Sequence, residues 1–339
     1  MPSSASVTKE TREYYTGLVP ITGQHLQKEM LGRGWSMKMG IRPDKCRHDY
    51  KPTRPRQDYA PAQPEIVICA RDIHRAEAAL ALFMDSLQLL FGPPIWDVNL
   101  IPIPKDDHER NEMRAVLHVG STMFSAGDFD LAAMLAKRAS GNRRYSYAIA
   151  LHAISCHNHV NQPMDLDPAN YPYRARSETY RDHVRFAYAI IAAYAAIEQL
   201  KLTPEKDSFK NRVWIPEKRQ ALESRLRHAG IDLTEHLLWH VRGGKTRLEI
   251  DRPPKIVKMC PWSYAQIRDC EVEIVDAIAD VRALRSHVAA HDLKSQAKNL
   301  SVHDVANAQF VARKLILAAT GFSQQRIDRI IAGRKYPND

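Results

Sequence analysis

The sequence has few cysteines and no apolar stretch long enough to span a membrane. Five cysteines occur among 339 residues, and no two of them form a C-x-x-C pair. This pattern is typical of reduced thiols rather than a disulfide framework. No apolar run approaches the roughly 18 to 20 residues of a spanning helix, and residues 1–15 lack the apolar segment of a secretory signal. We therefore expect a cytoplasmic protein with no membrane partner.

Several common catalytic motifs are also missing. There is no G-x-x-x-x-G-K-S/T phosphate loop and no G-x-S-x-G elbow, so the NTPase and esterase classes have no support. His236 and His240 are four residues apart but lack the glutamate of a metalloprotease motif. His152, Cys156 and His159 have a spacing that suits zinc on one helical face, but no fourth ligand is evident. We expect neither a metal ion nor another cofactor.

Positive charge is in excess. The formal net charge is +10, which favours encounters with polyanions, and nucleic acid is the first partner to consider. Residues 1–64 contain a proline-rich, basic stretch that predicts an extended arm or irregular segment. A solvated linker explains this stretch as well as RNA contact does. The residues that would contact RNA there are Arg47, Lys51, Arg54 and Arg56.

The rest of the chain divides into a short mixed region and a long helical one. Residues 65–125 contain one clear strand, "EIVICA", and one helix, and we expect a small α/β or irregular region of unknown role. Residues 126–339 show repeated helical periodicity, so the fold class is predicted to be mainly α, with a helical bundle over about 129–335. The predicted helices are 129–139, 144–159, 178–202, 216–229, 234–242, 264–291, 302–320 and 323–333. Gly230 and Gly321 stand where two of them should end.

The predicted helix 264–291 carries charged residues beside its apolar stripe. The stripe repeats every seven positions, at Ile267, Ile274, Val281 and Val288. Two further residues lie three positions before and after the last of these, each about 60° from the stripe's centre. They are Arg285 and His291. Both are expected to face inward or toward a partner.

Three interpretations of this pair remain open. Arg285 could form a structural ion pair with Glu198, which continues an apolar stripe of helix 178–202. His291 could bond to the backbone at the end of its helix. Alternatively, the stripe could be a dimer seam that brings together one pair from each subunit. An arginine and a histidine in such a cleft suit phosphoryl transfer, because arginine binds phosphate in a fork and histidine exchanges protons near neutral pH.

The segment "LRSHVAAHD", residues 284–292, resembles the R-x(4–6)-H motif of the HEPN superfamily. These are helical ribonucleases of prokaryotic toxin–antitoxin and phage-defence systems. The resemblance extends over residues 129–335 as a bundle of the HEPN kind. The chain departs from the common form at Ser286, where Asn, Asp or His often follows the arginine, and at Asp292, where Gly often follows the histidine.

The resemblance implies a homodimer or higher oligomer with one composite, metal-independent site that cuts RNA, such as tRNA or mRNA. Arg285 would stabilise the phosphate in the transition state and His291 would act as general acid or base. The products would be a 2′,3′-cyclic phosphate and a 5′-hydroxyl, and an antitoxin or other regulatory partner would be expected. Supporting positions are Ser286, His287, Glu198, Arg282 and Asp292; Arg225 and Arg227 on helix 216–229 would add RNA contacts. The alternative is a non-catalytic helical module that binds RNA or a protein.

Overall fold

The chain forms two compact units, one of Met1–Leu87 with Ile95–Asn142 and one of Gln88–Pro94 with Arg143–Asp339. Most of the regular structure is helical, which confirms the mainly α fold class. No helix in the part of the chain that is described is both long and apolar enough to cross a membrane. The computed structural model describes residues 11–16, 18–20, 26–41, 64–91, 101–102, 123–125, 129–158, 180–210, 213–242, 255–259, 267–290, 300 and 302–332.

The first unit contains a five-stranded antiparallel sheet and a short parallel strand pair. The strand order in the sheet is β3-β4-β5-β1-β6, and β2 pairs with β7. β5 is central and apolar on both faces, with three consecutive residues fully buried. The strands are β1 (Arg12–Tyr15), β2 (Leu18–Pro20), β3 (Met30–Gly32), β4 (Trp35–Gly40), β5 (Glu65–Ala70), β6 (Ile101–Pro102) and β7 (Met123–Ser125).

Two helices accompany this sheet, α1 (Ile73–Phe91) and α2 (Phe129–Ser140). Asp72 caps the start of α1, since its carboxylate accepts a hydrogen bond from the backbone N–H of Arg75 at 3.0 Å. The two helices meet through Phe83 and Phe129, whose rings pack edge to face with centroids 5.5 Å apart. α2 was expected in the helical domain that begins at residue 126, but it belongs to the first unit.

The prediction of an irregular arm over residues 1–64 is wrong for the described part. Four short strands lie there, and β3 and β4 form a hairpin whose two-residue turn is Arg33-Gly34, with Gly34 at φ 82°. Lys38, at the start of the basic stretch, lies in β4 and pairs with Glu13 at 2.5 Å. Strands of three to six residues are too short for their alternation of apolar and polar residues to be detected in the sequence, because prolines and glycines surround them. Arg47, Lys51, Arg54 and Arg56 lie outside the described residues.

The second unit is built around one helix, α4, which packs against α3, α6 and α7. A polar node joins three of these helices in their core: buried Ser155 donates to the carbonyl of Ala189 at 2.6 Å and accepts from Gln309 at 3.1 Å. The helices of this unit are α3 (Arg143–Asn158), α4 (Tyr180–Gln199), α5 (Pro216–His228), α6 (Ile274–Ala290), α7 (Val302–Ala319) and α8 (Gln324–Ala332).

Strands interrupt the helical order of this unit. A short hairpin joins β8 (Phe209–Lys210) to β9 (Val213–Trp214). A three-stranded antiparallel sheet has the order β10-β12-β11, from β10 (His236–Arg242), β11 (Lys255–Met259) and β12 (Ile267–Glu273). The prediction of a helix over 234–242 is therefore wrong, and the helix predicted over 264–291 begins only at Ile274. Burial in β10 alternates, with Leu237 and Trp239 buried and Leu238 52% exposed, which is the period of a strand.

Three helices of the second unit end in the same way. Gly230 and Gly321 follow α5 and α7 with φ of 83° and 82°, and Lys201 follows α4 with φ of 60°. At each end, two backbone N–H groups bond back to carbonyls of the last turn in the Schellman pattern. The residue after each turn is apolar and buried: Leu202, Ile231 and Phe322. The helix ends predicted at the two glycines are confirmed. No comparable sequence signal marked the helix end at Lys201.

Asp85, on α1, provides a test of packing in the first unit. Burial raises the pKa of its carboxyl to about 6. This pKa lies above that of an aspartate in the unfolded chain. The free energy of unfolding is therefore highest while Asp85 is protonated, and it falls as the pH rises from about 4 through 6. Asp85→Asn, which keeps a neutral group, should raise the free energy of unfolding at pH 7 by about 2 kcal/mol and give no gain near pH 4.

Urea unfolding at both pH values measures this difference. Asp72→Asn is the matched control, because the N–H of Arg75 lowers the pKa of the Asp72 carboxyl. The charged form of Asp72 therefore stabilises the fold, and its removal should bring no gain at pH 7. Equal stability of wild type and Asp85→Asn at pH 7 would contradict the assignment.

Candidate functional site

Two buried carboxylates hold the helix that carries the R-x(4–6)-H motif. α6 starts directly after β12, and Asp276 in its first turn accepts a hydrogen bond from the Trp214 indole at 2.8 Å and from Arg219 at 3.0 Å. One turn later, Asp280 accepts from the indole of Trp239 at 3.0 Å. Burial raises the pKa of Asp276 more than these two donors lower it. The first half of α6 is thereby fixed to β9, β10 and α5.

Arg285 lies half-buried on α6 and stacks on a tyrosine of α4. Its guanidinium carbon is 5.9 Å from the ring centroid of Tyr194, which is 3% exposed. This distance is within the range of a cation–π interaction. The expected ion pair with Glu198 is not formed: Glu198 is exposed and Arg285 forms no ion pair with it or with any other described carboxylate. The arginine keeps its charge on an aromatic surface instead.

Arg282 lies three residues before Arg285 on α6 and has defined structural partners. It donates a hydrogen bond to the carbonyl of Glu205 at 2.9 Å, and its guanidinium stacks over Phe209 at 5.6 Å. Phe209 in turn packs on Trp214, with ring centroids 4.3 Å apart. The β8–β9 hairpin and the segment before it therefore fix Arg282 against α6.

Both cations act on the phenol of Tyr194. Burial raises its pKa to about 12; Arg282 and Arg285 act in the opposite direction, and Glu198 acts with burial. The hydroxyl also forms a hydrogen bond with Thr203. Tyr194 therefore stays neutral near pH 7 and presents a ring face to Arg285. This part of α6 thus carries the guanidinium groups of Arg282 and Arg285 and the exposed hydroxyl of Ser286.

The other motif residues are only partly located. The side chain of His287 is not described, and His291 and Asp292 lie outside the described residues. The stripe that carries them was open to interpretation as a subunit seam. Ile274 and Val281 of this stripe are each 1% exposed in the single chain, so these two side chains are not available to a seam. α6 needs this face for its own bundle.

The arginines of α5 that were expected to contact RNA, Arg225 and Arg227, have partners within the chain, and their contact with RNA stays a prediction. Arg225 donates to the carbonyls of Lys201 and Thr203, both at 3.1 Å. Arg227 pairs with Glu223 at 3.3 Å. Neighbouring cations of α5 are likewise paired: Arg219 with Glu223, Glu273 and Asp276, and Lys218 with Glu205. Most of the cations of α5 therefore have internal partners.

An exposed apolar surface of the second unit consists of side chains from α3 and α4. Val184 and Tyr188 on α4 are 40% and 59% exposed, and Tyr147 and Ile154 on the neighbouring α3 are 48% and 49% exposed. The sequence had suggested that the stripe of α4 faces the interior. Apolar side chains clustered in this way are typical of a surface that binds a partner.

The histidine-rich segments do not build a metal centre within the described residues, where no group of three or more His, Cys, Asp and Glu comes together. His152 and Cys156 lie one turn apart on α3, with Nδ1 and Sγ 3.8 Å apart. His159 lies outside the described residues. His236 lies at the start of β10 with its Nδ1 3.2 Å from the carbonyl of Thr234.

Sequence reasoning missed the partners that position the two arginines. Tyr194 reads as one more apolar residue of α4, and Phe209 belongs to a short segment without periodicity. Each of these partners is 73 or more positions from its arginine in the chain, so their pairing left no local pattern.

Comparison with known protein families, with curated proteins and with solved structures gave no match. Assignments of function therefore depend on the residues and their geometry.

The internal role of α5 predicts two different outcomes for its arginines. Arg219→Leu leaves the buried Asp276 without its cation and should lower the free energy of unfolding by about 2 to 3 kcal/mol. Arg227→Leu removes an ion pair whose arginine is 59% exposed and should cost less than about 0.5 kcal/mol. Urea denaturation of both variants checks the difference, and similar losses would contradict the contrast between the two sites.

Proposed function

We propose that this protein is a metal-independent endoribonuclease of the HEPN type that acts as a homodimer or higher oligomer. Arg285 binds the scissile phosphate and stabilises the charge that develops in the transition state. His291 exchanges a proton with the ribose 2′-hydroxyl or the leaving 5′-oxygen. The products are a 2′,3′-cyclic phosphate and a 5′-hydroxyl. A role as a toxin or phage-defence effector, under the control of an antitoxin or other partner, belongs to the same proposal.

One observation carries the proposal: Arg285 is a half-buried cation without a carboxylate partner among the described residues. A purely structural arginine in this position would be expected to form an ion pair, as Arg219 does nearby. Stacking on Tyr194 restrains the side chain while its N–H groups remain available for a phosphate, which they suit by their planar fork. Arg282 adds a second positive charge and Ser286 a hydroxyl.

The exposed apolar surface of α3 and α4 supports the oligomeric part of the proposal. Val184 and Tyr188 lie on α4, the helix whose Tyr194 receives the Arg285 guanidinium. Tyr188 and Tyr194 are six residues apart, about 120° round this helix, and therefore belong to neighbouring faces. The proposal places the subunit contact on the helix that also carries the aromatic partner of Arg285.

Cleavage of RNA by the purified full-length chain in EDTA tests the catalytic assignment. Wild type should release fragments with cyclic-phosphate and 5′-hydroxyl ends. Arg285→Ala should slow cleavage by about 100- to 1,000-fold, and His291→Ala by about 100-fold or more. Arg329→Ala, which removes an exposed arginine of α8, is the control and should leave the rate unchanged.

Circular dichroism of each variant separates loss of activity from loss of fold. Cleavage that survives both Arg285→Ala and His291→Ala would refute the site. An absence of cleavage by folded, oligomeric wild type would favour the alternative, a helical module that binds RNA or a protein without catalysis. Expression in a bacterial host adds a second readout, because an active toxin slows growth and His291→Ala relieves it.

Tyr188→Glu tests the subunit surface. A carboxylate at the centre of an apolar interface is costly to bury, so the variant should be monomeric at concentrations where wild type is dimeric. Sedimentation or light scattering measures the mass, and RNA cleavage should fall together with dimerisation because the site is shared. Gln325→Glu, on an exposed position of α8, is the matched control and should change neither property. A Tyr188→Glu variant that remains dimeric would exclude this surface.

A further inference from the structure

A cavity of about 850 Å³ opens in the second unit where α4, α5 and α7 end. None of the residues that line it belongs to the Arg285 site. Ligand pockets of proteins have volumes of roughly 300 to 1,000 Å³. Its wall consists of Tyr145, Leu200, Lys201, Leu202, Ser224, Arg225, His228, Ala229, Gly230, Ala318, Ala319, Gly321, Phe322 and Ser323.

The charged residues of this wall are all basic: Lys201, Arg225 and His228, with no aspartate or glutamate beside them. Arg225 bonds only to carbonyl oxygens. The side chains of Lys201 and His228 form no ion pair or hydrogen bond with described residues. The charge of Arg225 helps to lower the pKa of Glu205, but the Glu205 carboxylate forms its ion pair with Lys218, at 2.7 Å. The positive charge of the cavity is therefore not neutralised by a carboxylate of its own wall.

Cations near helix C-termini also have a structural explanation, since the last carbonyls of a helix carry partial negative charge. That explanation does not cover Arg225, because the carbonyls of Lys201 and Thr203 that accept from it lie beyond the last residue of α4. It is weak for the wall as a whole as well, because the Schellman hydrogen bonds already satisfy carbonyls at all three helix ends.

The backbone of Lys201 is the stronger sign of a ligand. The equivalent residue at the ends of α5 and α7 is glycine, Gly230 or Gly321, which adopts the left-handed conformation without steric cost. Lysine at φ 60° is strained there relative to glycine. A strained residue persists where its side chain is useful, and this side chain lines the cavity.

The remaining wall combines an apolar surface with hydroxyl groups. Leu202, Ala318 and Phe322 are nearly fully buried and form an apolar part. Ser224, Ser323 and Tyr145 supply hydroxyls, and Ser323 directly precedes α8, whose first N–H groups have no partner within the helix. Amide N–H groups at a helix start, hydroxyls and cations are the donors that phosphate groups select.

We propose that this cavity binds a small phosphate monoester on an apolar or aromatic body, of the size of a mononucleotide. The phosphate lies against Lys201 and His228, and the body covers the apolar wall. This site does not depend on whether the chain cleaves RNA.

Calorimetric titration of the full-length protein tests the proposal with AMP, GMP, CMP, UMP, adenosine and inorganic phosphate as probes. At least one nucleotide should bind, and adenosine and inorganic phosphate should each bind at least about tenfold more weakly, since each lacks one half of the recognition. Lys201→Gly should weaken nucleotide binding by about tenfold or more while its melting temperature stays equal to that of wild type or rises, because glycine relieves the backbone strain.

His228→Ala should weaken binding without change of fold and gives a second, independent variant. Lys206→Ala, an exposed lysine of the same segment that does not line the cavity, is the control and should bind as wild type does. No binding of any nucleotide at millimolar concentration, or wild-type affinity in both Lys201→Gly and His228→Ala, would overturn the proposal. Equal affinity for adenosine and AMP, or for inorganic phosphate and AMP, would overturn it as well.

Discussion

The position of α6 depends on carboxylates that are buried together with their donors. Asp276 and Asp280 are 9% and 7% exposed, and each receives a tryptophan indole N–H. A buried carboxylate without donors would be strongly unfavourable, so β9 and β10 have to remain where their indoles reach α6. Arg219 adds a cation that links the same node to α5. These contacts fix where the side chains two and three turns further along α6, among them Arg285, emerge from the bundle.

Arginines and lysines of the second unit differ in their partners. Arg219 and the fully buried Lys314 bind carboxylates; the ammonium of Lys314 is 2.5 Å from Glu235. Arg285 and Lys201 bind none among the described residues, although one is half-buried and the other occupies a strained backbone conformation. A formal net charge of +10 does not distinguish these groups. Arg285 and Lys201 therefore have charge available for a phosphate.

The segment between α4 and β8 links the two candidate sites. The carbonyls of Lys201 and Thr203 accept from Arg225 beside the cavity, and the carbonyl of Glu205 accepts from Arg282 beside Tyr194. Such bonds from side chain to backbone restrain a segment that has little regular structure of its own. The cavity and the arginines of α6 therefore both depend on the conformation of this segment.

The sequence by itself determined the long elements and the helix ends. Helices α1, α3 and α7, strand β5 and the stops at Gly230 and Gly321 follow from periodicity and from glycine's backbone freedom, which are local properties. Tertiary structure alone decided that 236–242 and 267–273 are strands, because those residues pair with each other and their burial alternates only once paired. It also decided that Val184 and Tyr188 are exposed and that Arg285 meets Tyr194 rather than Glu198. Which face of a helix is covered, and which partner a charge receives, depends on residues far apart in the chain, and no local pattern records them.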